Sequence, residues 1–155
     1  MFSVFATNII AHEFLHLLFA LTISNFVFRK FKSLRLIPVV FLVTFFIDID
    51  HLTEGFLIYG PNLNWIRTFQ GNYFRESGKM TILLHSWELI PLILYLGKKF
   101  KVWPVVFTAS LALICHYIVD QLVYSINYGL PILEYSVIFR FWHNFDWLEL
   151  CGGCK

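Results

Sequence analysis

Four apolar stretches dominate this chain, at about 3–28, 36–59, 80–96 and 102–126. A helix needs ~20 predominantly apolar residues to cross the hydrocarbon of a bilayer. Three of the stretches reach that length, and residues before the short third one can extend it. Charged residues make up 14% of the chain, against roughly 25% in soluble domains, so the natural solvent is lipid. The expected fold is all-α: one integral membrane domain over 1–155, a polytopic bundle of about four transmembrane helices. The tail over about 131–150 mixes aromatic and charged residues, His143 among them, and reads as an interfacial helix or a cap on the bundle. The apolar N-terminus lacks a basic start and a small-residue cleavage site, so it reads as a retained helix.

The loops carry the orientation. Arg29, Lys30, Lys32 and Arg35 join the first two stretches, and Lys98, Lys99 and Lys101 join the last two. Both loops are short and free of acids, which puts them in the cytoplasm by the positive-inside rule. Both termini, and the loop from Gly60 to Lys79, then lie outside the cytoplasmic membrane. No basic stripe carries a reader motif, so nucleic-acid binding has no support. Cys115 sits in an apolar run and reads as packing. Cys151-Gly-Gly-Cys154 reads as a disulfide, a metal clip or a tail. Oligomeric state leaves no mark on the sequence.

Ionisable groups inside membrane spans are costly and point to function. Here they are His12, Glu13, His16, Asp48, Asp50, His51, Glu54, His85, Glu88, His116 and Asp120. His16 stands 13 residues before Arg29, Asp48 13 after Arg35, His85 13 before Lys98, and His116 15 after Lys101. At 1.5 Å per residue these offsets are all ~20–23 Å. One layer in the outer half of the membrane therefore draws on all four helices. Within each helix the groups also pair on a face: His12 with His16, Asp48 with His51, Asp50 with Glu54, His85 with Glu88, and His116 with Asp120. Imidazole with carboxylate suits a divalent metal, zinc first, with manganese or iron as alternatives. Such a metal acidifies water and polarises carbonyl or phosphoryl oxygens. A polar core without chemistry and a proton- or ion-coupled transporter are the non-enzymatic alternatives.

Two motif readings compete. His12-Glu13-Phe14-Leu15-His16 fits H-E-x-x-H, in which two histidines bind zinc and the glutamate is the base. That reading gives an intramembrane zinc metalloprotease. The ordered set of His16, Asp48-Ile49-Asp50-His51, His85-Ser86 and His116-Tyr117-Ile118-Val119-Asp120 instead resembles the membrane-bound metal-dependent hydrolases, also described as LexA-binding, inner membrane-associated hydrolases. The resemblance spans about 12–121. It implies a helical membrane protein with a metal site whose ligands are His16, Asp48, Asp50, His51, His85, His116 and Asp120, with His12 as an addition.

The favoured function is hydrolysis of a phosphoester or other ester bond in a lipid or membrane-confined substrate, with one or two metal ions. Asp48 and Asp50 flank a single residue, so both reach metal if the backbone unwinds there. Glu13 and Glu88 are the candidate bases. Ser86 reads as a hydrogen-bonding group near the substrate. Arg67 and Arg75 are placed to hold a phosphate headgroup.

Overall fold

The computed structural model describes residues 9–69 and 71–152. The first residues of the expected opening helix and Cys154 lie outside them. The chain forms α1 (Ile9–Phe31), α2 (Ile37–Phe46), α3 (Ile49–Tyr59), α4 (Trp65–Phe69), α5 (Asn72–Ser77), α6 (Leu89–Lys99), α7 (Trp103–Tyr128), α8 (Val137–Trp142) and α9 (Trp147–Leu150), with 3-10 turns at Leu34–Leu36, Gly60–Asn62 and Ile132–Tyr135. No strand forms among the described residues; a single bridge pairs Lys79 with Asp146.

Three segments are long and apolar enough to cross a membrane: Ile9–Phe31, Leu34–Asn62 and Trp103–Ile126. α7 is the central one and packs against α1, α2 and α6. Pro104 opens it in the first turn, where the missing N–H is no loss. Gly129 closes it at φ +67, a left-handed conformation that glycine adopts without steric cost. The face of α1 bearing Ala20, Ile23 and Val27 is buried with Val40 and Ala112. Phe14, Leu21, Leu42, Phe46, Leu57 and Leu122 stay exposed, an apolar surface that water would not tolerate and lipid would.

The stretch expected as a helix over 80–96 is helical only from Leu89. The reason is Pro91. In a helix begun at residue 80 it would sit in the interior, costing about 3 kcal/mol or more. Starting at Leu89 places it in the first turn. The eleven residues of α6 span only about 16 Å, roughly half the hydrocarbon. Before them, 81–86 is irregular, and acids of α3 hold its backbone. Glu54 Oε1 accepts the Thr81 N–H at 2.8 Å, and Asp50 Oδ2 accepts the Leu84 N–H at 2.8 Å. Irregular backbone packed inside a bundle persists where such partners satisfy its N–H groups.

The second stretch also differs from one continuous helix. It breaks at Ile47–Asp48 between α2 and α3. The tail over 131–150 is not one helix either: a 3-10 turn, α8 and α9 follow one another, with Asn144 and Phe145 at positive φ between the last two.

Close packing joins α6 to α7. A Cβ on Gly97 would lie 2.5 Å from Val106 Cβ. Gly97→Val should therefore force these helices apart, costing about 1–3 kcal/mol. The expected readout is a lowered melting temperature in detergent; an unchanged value would mean that the helix pair is loose.

Candidate metal centre

The helix break at Ile47–Asp48 turns Asp48 toward α7, where His116 and Asp120 lie one turn apart. The irregular segment brings His85 between them. Asp48 Oδ1 is 3.3 Å from His85 Nε2 and 3.4 Å from His116 Nε2. Asp120 Oδ2 is 3.4 Å from His85 Nε2 and 3.1 Å from His116 Nε2. The two imidazole nitrogens stand 3.1 Å apart. His85, His116 and Asp120 are buried and Asp48 is half-buried.

A second group meets the other oxygen of Asp120. Oδ1 lies 2.9 Å from His12 Nε2 and 2.8 Å from His16 Nε2. These two nitrogens are 2.9 Å apart. Residues four apart on α1 share a face, so the H-E-x-x-H histidines converge as their spacing demands. His16 is buried and His12 half-buried. The residues from α1, the α2–α3 break, the irregular segment and α7 thus form one cluster.

Asp50 takes a different position from Asp48. Its carboxylate accepts the His85 Nδ1–H at 3.0 Å and the Leu84 and His85 backbone N–H groups. That bond fixes the His85 tautomer and leaves the Nε2 lone pair facing Asp48, His116 and Asp120, the usual relation of a carboxylate to a metal-binding histidine. His51 is buried edge-on to His85, with its Nδ1 2.7 Å from the Tyr73 hydroxyl. Asp50, His51 and His85 also stand close enough to form a ligand group, but His85 Nδ1 is already given to Asp50.

Glu13 is half-buried on α1, within electrostatic reach of Asp48, His12, Asp120 and His116. No hydrogen bond ties its carboxyl down among the described residues. Glu88, the other expected base, is turned away from the cluster. Its oxygens accept from Ser86 and Ser136 hydroxyls and from the Val137 and Ile138 N–H groups. Those bonds tie both of its carboxyl oxygens to Ser86 and to residues 136–138. Ser86 is buried and spent on the same clamp, donating to Glu88 and accepting from Val137 N–H. Arg67 is exposed and paired with Glu76; Arg75 is exposed as well. Neither arginine belongs to the cluster. His143 lies 3.6 Å from Glu149, at the surface.

Sequence reasoning missed three groups. Tyr135 donates to Asp120 Oδ2 at 3.1 Å. Arg140 is fully buried, and its Nη2 donates to the His85 carbonyl at 3.0 Å. Tyr117 donates to the Leu84 carbonyl. Tyr117 sits within the H-x-x-x-D motif and carried a signal. Tyr135 and Arg140 lie in an aromatic tail with no period that sets them apart.

Glu134 is buried beside this layer, and neither carboxyl oxygen makes a well-formed hydrogen bond. Burial, and then the Asp120 charge, push its pKa up to about 9 from 4.5. The folded state therefore holds a proton that the unfolded chain releases, so this group's contribution to stability falls as pH rises from about 4.5 to about 9. Infrared spectra at pH 7 should contain a protonated-carboxyl stretch that Glu134→Gln removes. Spectra identical for the two proteins would show that Glu134 is ionised.

A cation fits these donors. In the four-atom group the five histidine–histidine and histidine–carboxylate separations of 3.1–3.4 Å approach the ~3.3 Å edge of a tetrahedron with bonds of about 2.05 Å. The buried groups are of a kind that could hold a metal ion. An apolar groove of about 420 Å³ opens beside the cluster, lined by Leu42, Phe46 and Ile47 of the second span, Leu84, Ile93 of α6, and Ala109 and Leu113 of α7, among others. In comparisons with known proteins, no family model, no curated protein and no solved structure matches the chain.

Proposed function

We propose that this chain is a membrane-embedded, metal-dependent hydrolase that acts on a phosphoester or other ester bond of a lipid or membrane-confined substrate. The observation that carries this reading is the convergence of Asp48, His85, His116 and Asp120 from three separate segments on one small volume. The ordered motifs that resemble the membrane-bound metal-dependent hydrolases supply the same residues. A divalent cation, zinc by ligand type, supplies Lewis acidity at this point. Asp48, His85, His116 and Asp120 would hold it. Asp50 orients His85. Glu13, half-buried and without a hydrogen bond to its carboxyl among the described residues, takes a proton from the attacking water. The open edge at His12, Glu13 and Asp48 admits that water and the polar end of the substrate.

The groove supports a lipid. Its lining residues are apolar, and Ile47 and Leu84 in its wall directly precede Asp48 and His85. An acyl chain lying there would bring its ester to the cluster. The basic loops put the site in the outer half of the cytoplasmic membrane, with both termini outside. α6 and the segment before it then make a fourth, partly irregular crossing. Exposed Ile138, Phe141 and Trp142 suit a tail lying at the headgroup level.

One observation favours a protease as second reading. His12, His16 and Asp120 form a two-histidine, one-carboxylate group with Glu13 beside it, as H-E-x-x-H chemistry requires. That reading leaves Asp48, His85 and His116 unexplained.

The test is turnover by purified, metal-loaded protein in vesicles that contain phospholipids and a transmembrane peptide, followed by mass spectrometry. Cleavage of lipid ester or phosphoester bonds is expected, with the peptide intact. Ala109→Phe, which fills the groove, should lower turnover of long-chain lipids about tenfold relative to short-chain ones. Peptide cleavage alone would replace the hydrolase reading with the protease. No turnover of either would remove both.

A further inference from the structure

The geometry points to a second cation position, bounded by His12 Nε2, His16 Nε2 and Asp120 Oδ1, so that Asp120 bridges two ions. This deepens the hydrolase reading and rests on its metal site. The three atoms form a nearly equilateral triangle with edges of 2.9, 2.8 and 2.9 Å.

Hydrogen bonds alone do not account for that triangle. Each Nε2 carries at most one proton, and Oδ1 of an ionised carboxylate carries none. If both nitrogens donate to Oδ1, two N–H groups confront each other across 2.9 Å. If only one nitrogen is protonated, its proton fills one edge of the triangle well and two lone pairs are left crowded. A cation about 2.05 Å from each atom, with ligands at right angles, gives edges of about 2.9 Å. The triangle therefore has the dimensions of one face of a coordination sphere, with the remaining positions open.

The four-atom group is built on Oδ2 of the same carboxylate, and its longer separations belong to a separate, more tetrahedral position. One carboxylate with an oxygen on each of two ions is the usual bridge in sites whose ions stand ~3.5–4 Å apart. Tyr135 donates to Oδ2 and His16 stacks on His116 at a centroid distance of 4.2 Å, so both halves are set against a common scaffold. Asp48 and Asp120 in the cluster, with Asp50 against His85, are the carboxylates that would balance the charge of two cations.

The test is metal stoichiometry, read without any activity assay. Protein in detergent is loaded with zinc, desalted and analysed for metal per chain. Two ions are expected in the unaltered protein and one in His12→Ala, with its helical circular dichroism unchanged. A stoichiometry of one in the unaltered protein, or of two in His12→Ala, would overturn the proposal. Manganese loading gives a second readout that needs no variant: the paramagnetic resonance spectrum should show an exchange-coupled pair, and an isolated-ion spectrum would overturn the bridge. One ion with hydrolysis intact would remove the bridge and spare the proposed function. Two ions without turnover of any substrate would do the reverse.

Discussion

Stripping metal from the purified protein is expected to lower its melting temperature by about 5–10 °C and to abolish turnover. The stability effect follows from linkage. A ligand present at 100 times its dissociation constant stabilises the folded state by about 2.7 kcal/mol. In a chain of this size each kcal/mol moves the melting temperature by about 2–4 °C. The structural basis is the crowding of the donors. Asp48 Oδ1 and Asp120 Oδ2 face the same pair of histidine nitrogens, and a cation between them would take a lone pair from each of the four. The measurement is a thermal melt in detergent with and without chelator, followed by re-addition of zinc. Loss and recovery of both stability and turnover are expected. A melt that ignores the chelator would mean that the cluster is a hydrogen-bonded polar core.

Glu13→Gln is expected to lower kcat by about 10²–10⁴-fold, the range for loss of a general base, while metal content stays unchanged. Glutamine keeps the size of the side chain and cannot take the proton. Glu13 is suited to the role because its carboxyl has no hydrogen bond among the described residues yet lies within reach of the charges of Asp48, His12 and Asp120. Glu88 provides the contrast. Glu88→Gln keeps an acceptor oxygen for Ser86 and Ser136, so its effect should be smaller and should appear in stability. Turnover and metal content measured together on both variants separate the roles. Full activity in Glu13→Gln would put the base elsewhere.

The residue offsets that set four polar groups at one expected height singled out residues the fold does bring together, although constant helix rise, on which they rest, does not hold for His85, which lies before its helix begins. The H-E-x-x-H pair was legible because that rise does hold along α1. Which carboxylate of Asp48-Ile49-Asp50 faces the centre was not, since it depends on where the helix breaks. That break sends Asp48 toward His116 and leaves Asp50 on His85 Nδ1. The third apolar stretch was misread as helical from residue 80 although Pro91 marked a later helix start, because hydropathy alone does not register a missing N–H. The part played by Tyr135 and Arg140 was out of reach. Long-range contacts in an aperiodic aromatic segment leave no pattern in sequence.

The clamp of Glu88 on Ser136 and Val137, the Arg140 bond to the His85 carbonyl and the Tyr135 bond to Asp120 change how tolerance to substitution should be distributed along the chain. A scan of every position would find residues 134–140 split at single-residue resolution. Tyr135 and Arg140 should be as intolerant of exchange as the histidines themselves. Ile138, between them and facing outward at 58% exposure, should accept almost any apolar replacement.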